Sequence, residues 1–371
     1  MKPIKVLIVD DSVFIRVSIS RLLESDPEID VVGVAKDGRE ALEKIETLRP
    51  DVITLDVIMP VMDGLSALKE IMKTRPTPVV MLSSITRRGA RETIAALAYG
   101  AIDFIPKPLD VTSPSAVSHI KEELISKVKV AAVSKVGAVS SEVTAEHLRR
   151  ALRAPTDLFP PPSARQDRLR VAGESIVAIG ASTGGPSALQ IVLSGLPETF
   201  PLGIIIMQHI STGFTEALVE RLDKLCHIKI VLAKDREVIE GGKAYIAPAG
   251  MNLSILKIGM TLQISLSDDP MLTSNRPSID FAFQSVARTV AANCCAILLT
   301  GMGADGADGM KEIRETGGFT IVQDEATSVI FGMARRAIEM GGVDKVLPLN
   351  KITDEINGFA GERLRRLDKA G

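Results

Sequence analysis

Short aliphatic and β-branched runs alternate with stretches of helical period along two long portions of this chain, and that alternation constrains the fold more than any other feature. The first portion carries "KVLIV", "VVGVA", "DVITLD", "PVVMLSS" and "AIDFIPK" in order. Such runs read as strands, and the amphipathic stretches between them read as helices. Strands joined through helices run parallel, because each crossover carries the chain back to the end of the sheet it left. The expectation for residues 1–125 is therefore an α/β domain with a doubly wound parallel sheet.

The pattern stops at residue 126. "SKVGAVSSEV" and "LFPPPSARQDR" are small, polar or proline-rich, a composition that does not build a core. Residues 126–172 are expected to be a flexible linker, with some helical character in "AEHLRRAL". Alternation resumes over 173–371 with "SIVAIG", "GIIIMQH", "KIVLA", "AILLT" and "FTIVQ" as strands. "PSALQIVLSGL", "FTEALVERLDKLC" and "SIDFAFQSVARTV" read as amphipathic helices. "KAYIAP" and "LSILKIGMTLQISL", broken at Gly259, read as a β-hairpin insertion in a second doubly wound α/β domain. A chain of 371 residues with 46% hydrophobic content is long enough for two such cores.

Bulk charge excludes some functions. Lys+Arg 44 against Asp+Glu 46 gives a net charge of -2, so no overall basic field attracts nucleic acid or anionic lipid. A helix-turn-helix output would be purely helical where this chain alternates strands. No run approaches the roughly 20 apolar residues of a membrane span, and the opening "MKPIKVLIVDDS" is too short in its apolar part for a secretory signal. The expectation is a cytoplasmic protein without direct membrane insertion. Cys226, Cys294 and Cys295 lack the spacing of a zinc site or a disulfide framework.

In the first domain the acids stand at strand ends. Asp10 and Asp11 follow the first run, and Asp56 closes "VITLD". Ligands of doubly wound sheets sit at the carboxyl ends of strands, so these three carboxylates converge. Hard oxygen donors of this kind suit Mg²⁺. Ser83 brings a hydroxyl and Lys107 an ammonium to matching strand ends. Together the groups would stabilise a phosphoryl group transferred onto a carboxylate. Ser84 is the weaker hydroxyl, because alternation lets only one of the two serines face the site.

The segments "VDDS", "LDVIMPVMDGL", "MLSS" and "FIPKP" resemble the flavodoxin-like receiver domain of two-component response regulators. The resemblance implies that Asp56 accepts a phosphoryl group from a histidine kinase. It also implies that Asp10, Asp11, Asp56 and the backbone carbonyl of Ile58 hold Mg²⁺. Lys107 would contact the phosphoryl group, Ser83 would be the switch hydroxyl, Phe104 the aromatic that reorients, and Lys107–Pro108 a cis peptide.

The second domain opens on "GASTGGP" directly after a strand. Pro186 occupies the position of the Walker lysine, and Ser182 that of the second glycine of a dinucleotide loop, so neither phosphate-binding template fits. G-x-S-x-G fits without exception and describes a sharp strand-to-helix turn that exposes a nucleophilic serine. Of the four histidines, His119 falls in the last helix of the first domain, His147 in the linker and His227 at a helix end; His209 alone ends an apolar strand. The acid that orients the imidazole comes from the glycine-rich loop "TGMGADGADG", where Asp305, nearer the strand end, is a stronger choice than Asp308. The order Ser182, His209, Asp305 differs from the α/β-hydrolase order.

"IGASTGGP", "MQHIS", "YIAPAGMNL", "RPSIDFAFQSVA", "LLTGMGADGADGM" and "FGMARRAIEMGGVD" resemble the Rossmann-like catalytic domain of chemotaxis protein-glutamate methylesterases. The resemblance implies a serine hydrolase that needs no cofactor at its hydrolytic site and acts on methyl-accepting chemotaxis receptors, with Ser182, His209 and Asp305 as its triad. The N–H of Met302 would help form the oxyanion hole, and Thr183 would lie beside the nucleophile. It further implies that the unphosphorylated first domain covers the Ser182 cleft. The contrasting expectation is a nucleotide-binding or docking module without catalysis.

Overall fold

The structure is a computed structural model that describes residues 2–107, 114–134, 175–273 and 275–370. The chain divides into two units, Met1–Ala138 and Val139–Gly371. His147 and most of the expected linker lie outside the described residues.

In the first unit, β1 (Ile4–Val9), β2 (Ile29–Ala35), β3 (Val52–Asp56), β4 (Val79–Ser83) and β5 (Asp103–Pro106) form one sheet in the order β2-β1-β3-β4-β5. Every pairing is parallel. All five residues of β3 and of β4 are buried, which is why these strands read as continuous apolar runs rather than as alternations. Helices start where the sequence supplies caps: Ser12, Asp37, Asp63 and Thr86 each accept an N–H from three residues onward.

The helix Pro114–Val133 corrects one expectation. It continues past residue 125, where the linker was expected to begin, and buries Leu124, Val128 and Ala131. Their spacing of four and three residues keeps one face of a helix on the core.

In the second unit, β6 (Ile176–Ala181), β7 (Gly203–Gln208), β8 (Lys229–Leu232), β9 (Lys243–Ile246), β12 (Cys294–Leu298), β13 (Phe319–Gln323) and β14 (Lys345–Leu347) form a parallel sheet. Its order is β14-β13-β12-β6-β7-β9-β8. The strands β10 (Asn252–Ile258) and β11 (Thr261–Ser267) pair separately as an antiparallel hairpin whose turn holds Gly259 at φ +61. "KAYI" does not belong to that hairpin, contrary to the sequence reading: it is β9, inserted between β7 and β8. Ala244, Tyr245 and Ile246 are all fully buried, as a strand covered on both faces requires, whereas the hairpin alternates buried Leu253 and Ile255 with exposed Leu256 and Ile258.

From β6 the chain winds outward through β7, then returns to place β12 on the other flank of β6. The reversal leaves a crevice at the carboxyl ends of β6 and β12, the place where open α/β sheets hold their ligands.

Candidate active site

Ser182 follows the last residue of β6 and is fastened on both flanks. Its N–H donates to Thr300 O at 3.0 Å, beyond the end of β12, while the His209 N–H donates to Ala181 O at 2.9 Å. The second bond extends the β6–β7 ladder by one step and sets His209 beside the serine. Gly184, at φ +77, then turns the chain into the helix Gly185–Ser194. A side chain at Gly184 would be strained by that φ, and its Cβ would meet Val329 Cγ2 at 2.6 Å.

The three sequence-derived residues meet. His209 Nδ1 lies 3.3 Å from Ser182 Oγ, and Nε2 lies 2.8 Å from Asp305 Oδ2. With its proton on Nε2, donating to Asp305, the neutral ring turns the Nδ1 lone pair to the serine hydroxyl; this tautomer follows from the bonding pattern.

Asp305 is held from a third direction. Its carboxylate accepts the N–H groups of Ile279 at 2.9 Å and Asp280 at 2.8 Å, and the Ser278 hydroxyl at 3.1 Å. These belong to the N-terminus of the helix Ile279–Val290 and its cap. Burial alone would raise the Asp305 pKa, but the His209 ring and those N–H groups outweigh it and hold the carboxyl at about 2. Asp308, the alternative acid, is exposed in the first turn of the helix Ala307–Glu315.

Thr183 is buried, and Met302 is half exposed in the loop after β12. Gly301, beside Met302, backs directly onto Ser182: a Cβ there would meet Ser182 Cβ at 2.7 Å. His227 is exposed, and the side chain of His119 lies outside the described residues.

Gln208 was missed by sequence reasoning. Its amide Nε2 donates to both Ser182 O and His209 O at 2.9 Å, tying the backbones of these two residues together. A polar residue inside the apolar run "GIIIMQH" was the available signal, since a buried amide needs partners.

The strand ends of the first unit gather a second set of groups. Lys107 Nζ reaches Asp10 Oδ2 at 2.8 Å and Asp56 Oδ2 at 2.7 Å. Ligand oxygens of Asp10, Asp11 and Asp56 lie within 4.8 Å of one another. Asp10 and Asp56 are buried and Asp11 is exposed. Burial pushes the Asp56 carboxyl up to about 6 against the pull of Lys107. Burial opposes the Lys107 charge, yet the two aspartates outweigh it and raise that pKa.

The Ile58 N–H donates to Asp56 Oδ1 at 3.3 Å. Ser83 is buried, and its hydroxyl engages Ser84 O at 3.2 Å and accepts from Thr93 Oγ1 at 2.6 Å. Thr93, on the helix Arg87–Ala98, is a partner the sequence did not single out. Phe104 is buried, with the Lys127 ammonium 5.4 Å from its ring centroid and donating to its carbonyl at 2.7 Å. Pro108, and with it the expected cis peptide, lies outside the described residues.

Comparison with known proteins assigns both units. Residues 6–114 match the response regulator receiver domain, and residues 177–356 match the CheB methylesterase domain. The chain is 43% identical to a protein-glutamate methylesterase/protein-glutamine glutaminase of Geobacillus kaustophilus, covering 98% of this chain and 100% of that protein. A Pyrococcus abyssi protein of the same name is 42% identical, covering 96% of this chain and 93% of its own length. The crystal structure of the Thermotoga maritima CheB methylesterase catalytic domain is 36% identical, covers 50% of this chain and 97% of that one, and superposes with a TM-score of 0.49. This chain belongs to the protein-glutamate methylesterase/protein-glutamine glutaminase family, in which a response regulator receiver domain precedes a CheB methylesterase domain.

Proposed function

We propose that the chain hydrolyses γ-glutamyl methyl esters on the cytoplasmic segments of chemotaxis receptors, releasing methanol, with Ser182 as nucleophile. The observation that carries this reading is the continuous relay from Ser182 Oγ through both nitrogens of His209 to Asp305, at 3.3 and 2.8 Å. Nδ1 of His209 takes the Ser182 proton as Oγ attacks the ester carbonyl, and Asp305 stabilises the resulting imidazolium. The tetrahedral oxyanion forms beside Met302, whose N–H would contribute about 3 kcal/mol of barrier reduction as one donor. Nδ1 then returns the proton to the departing methoxide, and water, deprotonated in the same way, releases glutamate from the acyl-enzyme. Receptor glutamine would pass through the same acyl-enzyme with ammonia as the leaving group.

The receiver unit is proposed to switch this activity through phosphorylation of Asp56 by a histidine kinase in the cytoplasm. The buried oxygens Asp10 Oδ2 and Asp56 Oδ2 accept no hydrogen bond from the described residues apart from their ion pair with Lys107. With Asp11 they form the compact hard-oxygen set that Mg²⁺ takes, and the Ile58 carbonyl would join them. When bound, Mg²⁺ would neutralise phosphate charge at Asp56. Lys107 would hold the phosphoryl oxygens, and Ser83 and Phe104 are the proposed switch residues.

Labelling tests the nucleophile. A fluorophosphonate probe is expected to modify Ser182 in the wild-type chain and to leave Ser182→Ala unmodified, as read by mass spectrometry. Equal labelling of both would remove Ser182 from this role, and protection by a nucleotide instead of by an ester substrate would favour a binding module.

A further inference from the structure

Asp305 touches His209 with one carboxylate oxygen, and among the described residues the carboxylate is held from the N-terminus of the helix Ile279–Val290. The helix that begins two residues later, Ala307–Glu315, has Gly306 as its N-cap, at φ +98, and a glycine offers no side chain to satisfy the first N–H groups. Asp280 supplies the missing acceptor from another element. Its Oδ1 accepts the Gly309 N–H at 2.7 Å, in the first turn of that helix. In return, the Asp280 N–H donates to Asp305 Oδ1 at 2.8 Å.

The two acids thus cap each other's helices. Asp305, from the loop preceding one helix, caps Ile279–Val290; Asp280, from the first turn of that helix, caps Ala307–Glu315. Asp280 therefore grips both sides of this junction: its N–H holds the Asp305 carboxylate, and its carboxylate holds the first turn of the helix that follows Asp305. Close approach of the helices makes this possible. A Cβ on Gly309 would lie 3.2 Å from Asp280 O and inside contact distance of Phe283 Cβ.

We propose that Asp280 is a positioning residue for the hydrolytic reaction, acting through this double grip to keep the Asp305 carboxylate in line with His209 Nε2. The proposal rests on the hydrolase reading and adds to it a residue that touches neither substrate nor nucleophile. What Asp280 contributes is a hydrogen-bond acceptor at one position. Its negative charge is incidental, since it faces Asp305 and Asp308, both of like sign.

The test uses the full chain with three variants. Asp280→Ala removes the acceptor, Asp280→Asn keeps it without the charge, and Asp280→Glu keeps the charge but displaces the acceptor by one methylene. Methanol release from methylated receptor gives kcat and KM. The downfield imidazole proton of His209 in the ¹H NMR spectrum reports the bond to Asp305 without any substrate.

The expected result is a fall in kcat of about tenfold or more for Asp280→Ala and Asp280→Glu, with KM within about twofold and the downfield resonance broadened or lost. Asp280→Asn should stay within about threefold of wild type and keep the resonance. If Asp280→Ala does not fold, the contrast between Asp280→Glu and Asp280→Asn decides. Wild-type kcat in Asp280→Ala or Asp280→Glu, a loss carried by KM, or an Asn variant as impaired as the Ala variant would each overturn the proposal. Absence of methanol release from the wild-type chain would instead sink the hydrolase reading, leaving the NMR contrast to judge Asp280.

Discussion

Gln208 and Asp305 show how single side chains set the geometry of the relay. Gln208→Leu removes the amide that spans Ser182 O and His209 O. Each lost bond should cost about 1 kcal/mol of stability, and freeing the two backbones from one another should lower kcat by about tenfold. Urea denaturation and a methanol-release assay check both. For Asp305, a folded pKa near about 2, below the ordinary value of about 3.9, means that ionisation stabilises the native state. That stabilisation is present above about pH 4 and disappears as pH falls through about 2. The stability difference between wild type and Asp305→Asn should therefore shrink across this window, while Asp305→Asn at neutral pH should lose about 10³- to 10⁴-fold in kcat.

That Ser182 and His209 neighbour one another was legible because they follow the ends of adjacent parallel strands, whereas Asp305 in its glycine-rich loop needed the family resemblance as well. Ser278, Asp280 and Thr93 were not legible, and Gln208 was marked only by its polarity within an apolar run. The decisive partners of all four lie on other elements, and no spacing within one segment of sequence records which loop meets which helix.

Helices and strands carry the next level of constraint, through the places where they touch. The helix after Ser182 packs its first residue against the Gln208 amide: a Cβ on Gly185 would fall inside contact distance of Gln208 Oε1 and 2.9 Å from Ala181 Cβ. Gly185→Ala should consequently lower the melting temperature and slow fluorophosphonate labelling of Ser182; unchanged values in both assays would contradict the packing argument. In the receiver unit, the helix Arg87–Ala98 reaches the Ser83 hydroxyl through the Thr93–Ser83 bond. Thr93→Val releases Ser83 and is expected to lower the phosphodonor concentration needed for half-maximal activation, measured with acetyl phosphate.

Element type was readable from period and composition wherever a strand was buried on both faces or a helix had one apolar stripe. Partnership was not: "KAYI" has the composition of either a hairpin strand or a sheet strand, and only the burial of both its faces assigns it to the main sheet. The three residues of β14 are too few to carry a period, and the helix ending at Val133 continues through a segment whose charge resembles the linker beyond it.

Across the whole molecule, two kinds of chemistry occupy separate units. On the proposed reading, phosphate chemistry falls to the aspartates and lysine at the strand ends of the first unit, and acyl chemistry to the serine, histidine and aspartate of the second. Among the described residues, no helix is long and apolar enough to cross a membrane. We propose that a phosphoryl group on Asp56 governs hydrolysis at Ser182. Methanol release from methylated receptor, measured with and without acetyl phosphate and Mg²⁺, tests this. The phosphodonor is expected to stimulate the wild-type chain, Asp56→Asn to retain basal release without stimulation, and Ser182→Ala to release none under either condition. Stimulation surviving in Asp56→Asn, or release surviving in Ser182→Ala, would contradict it.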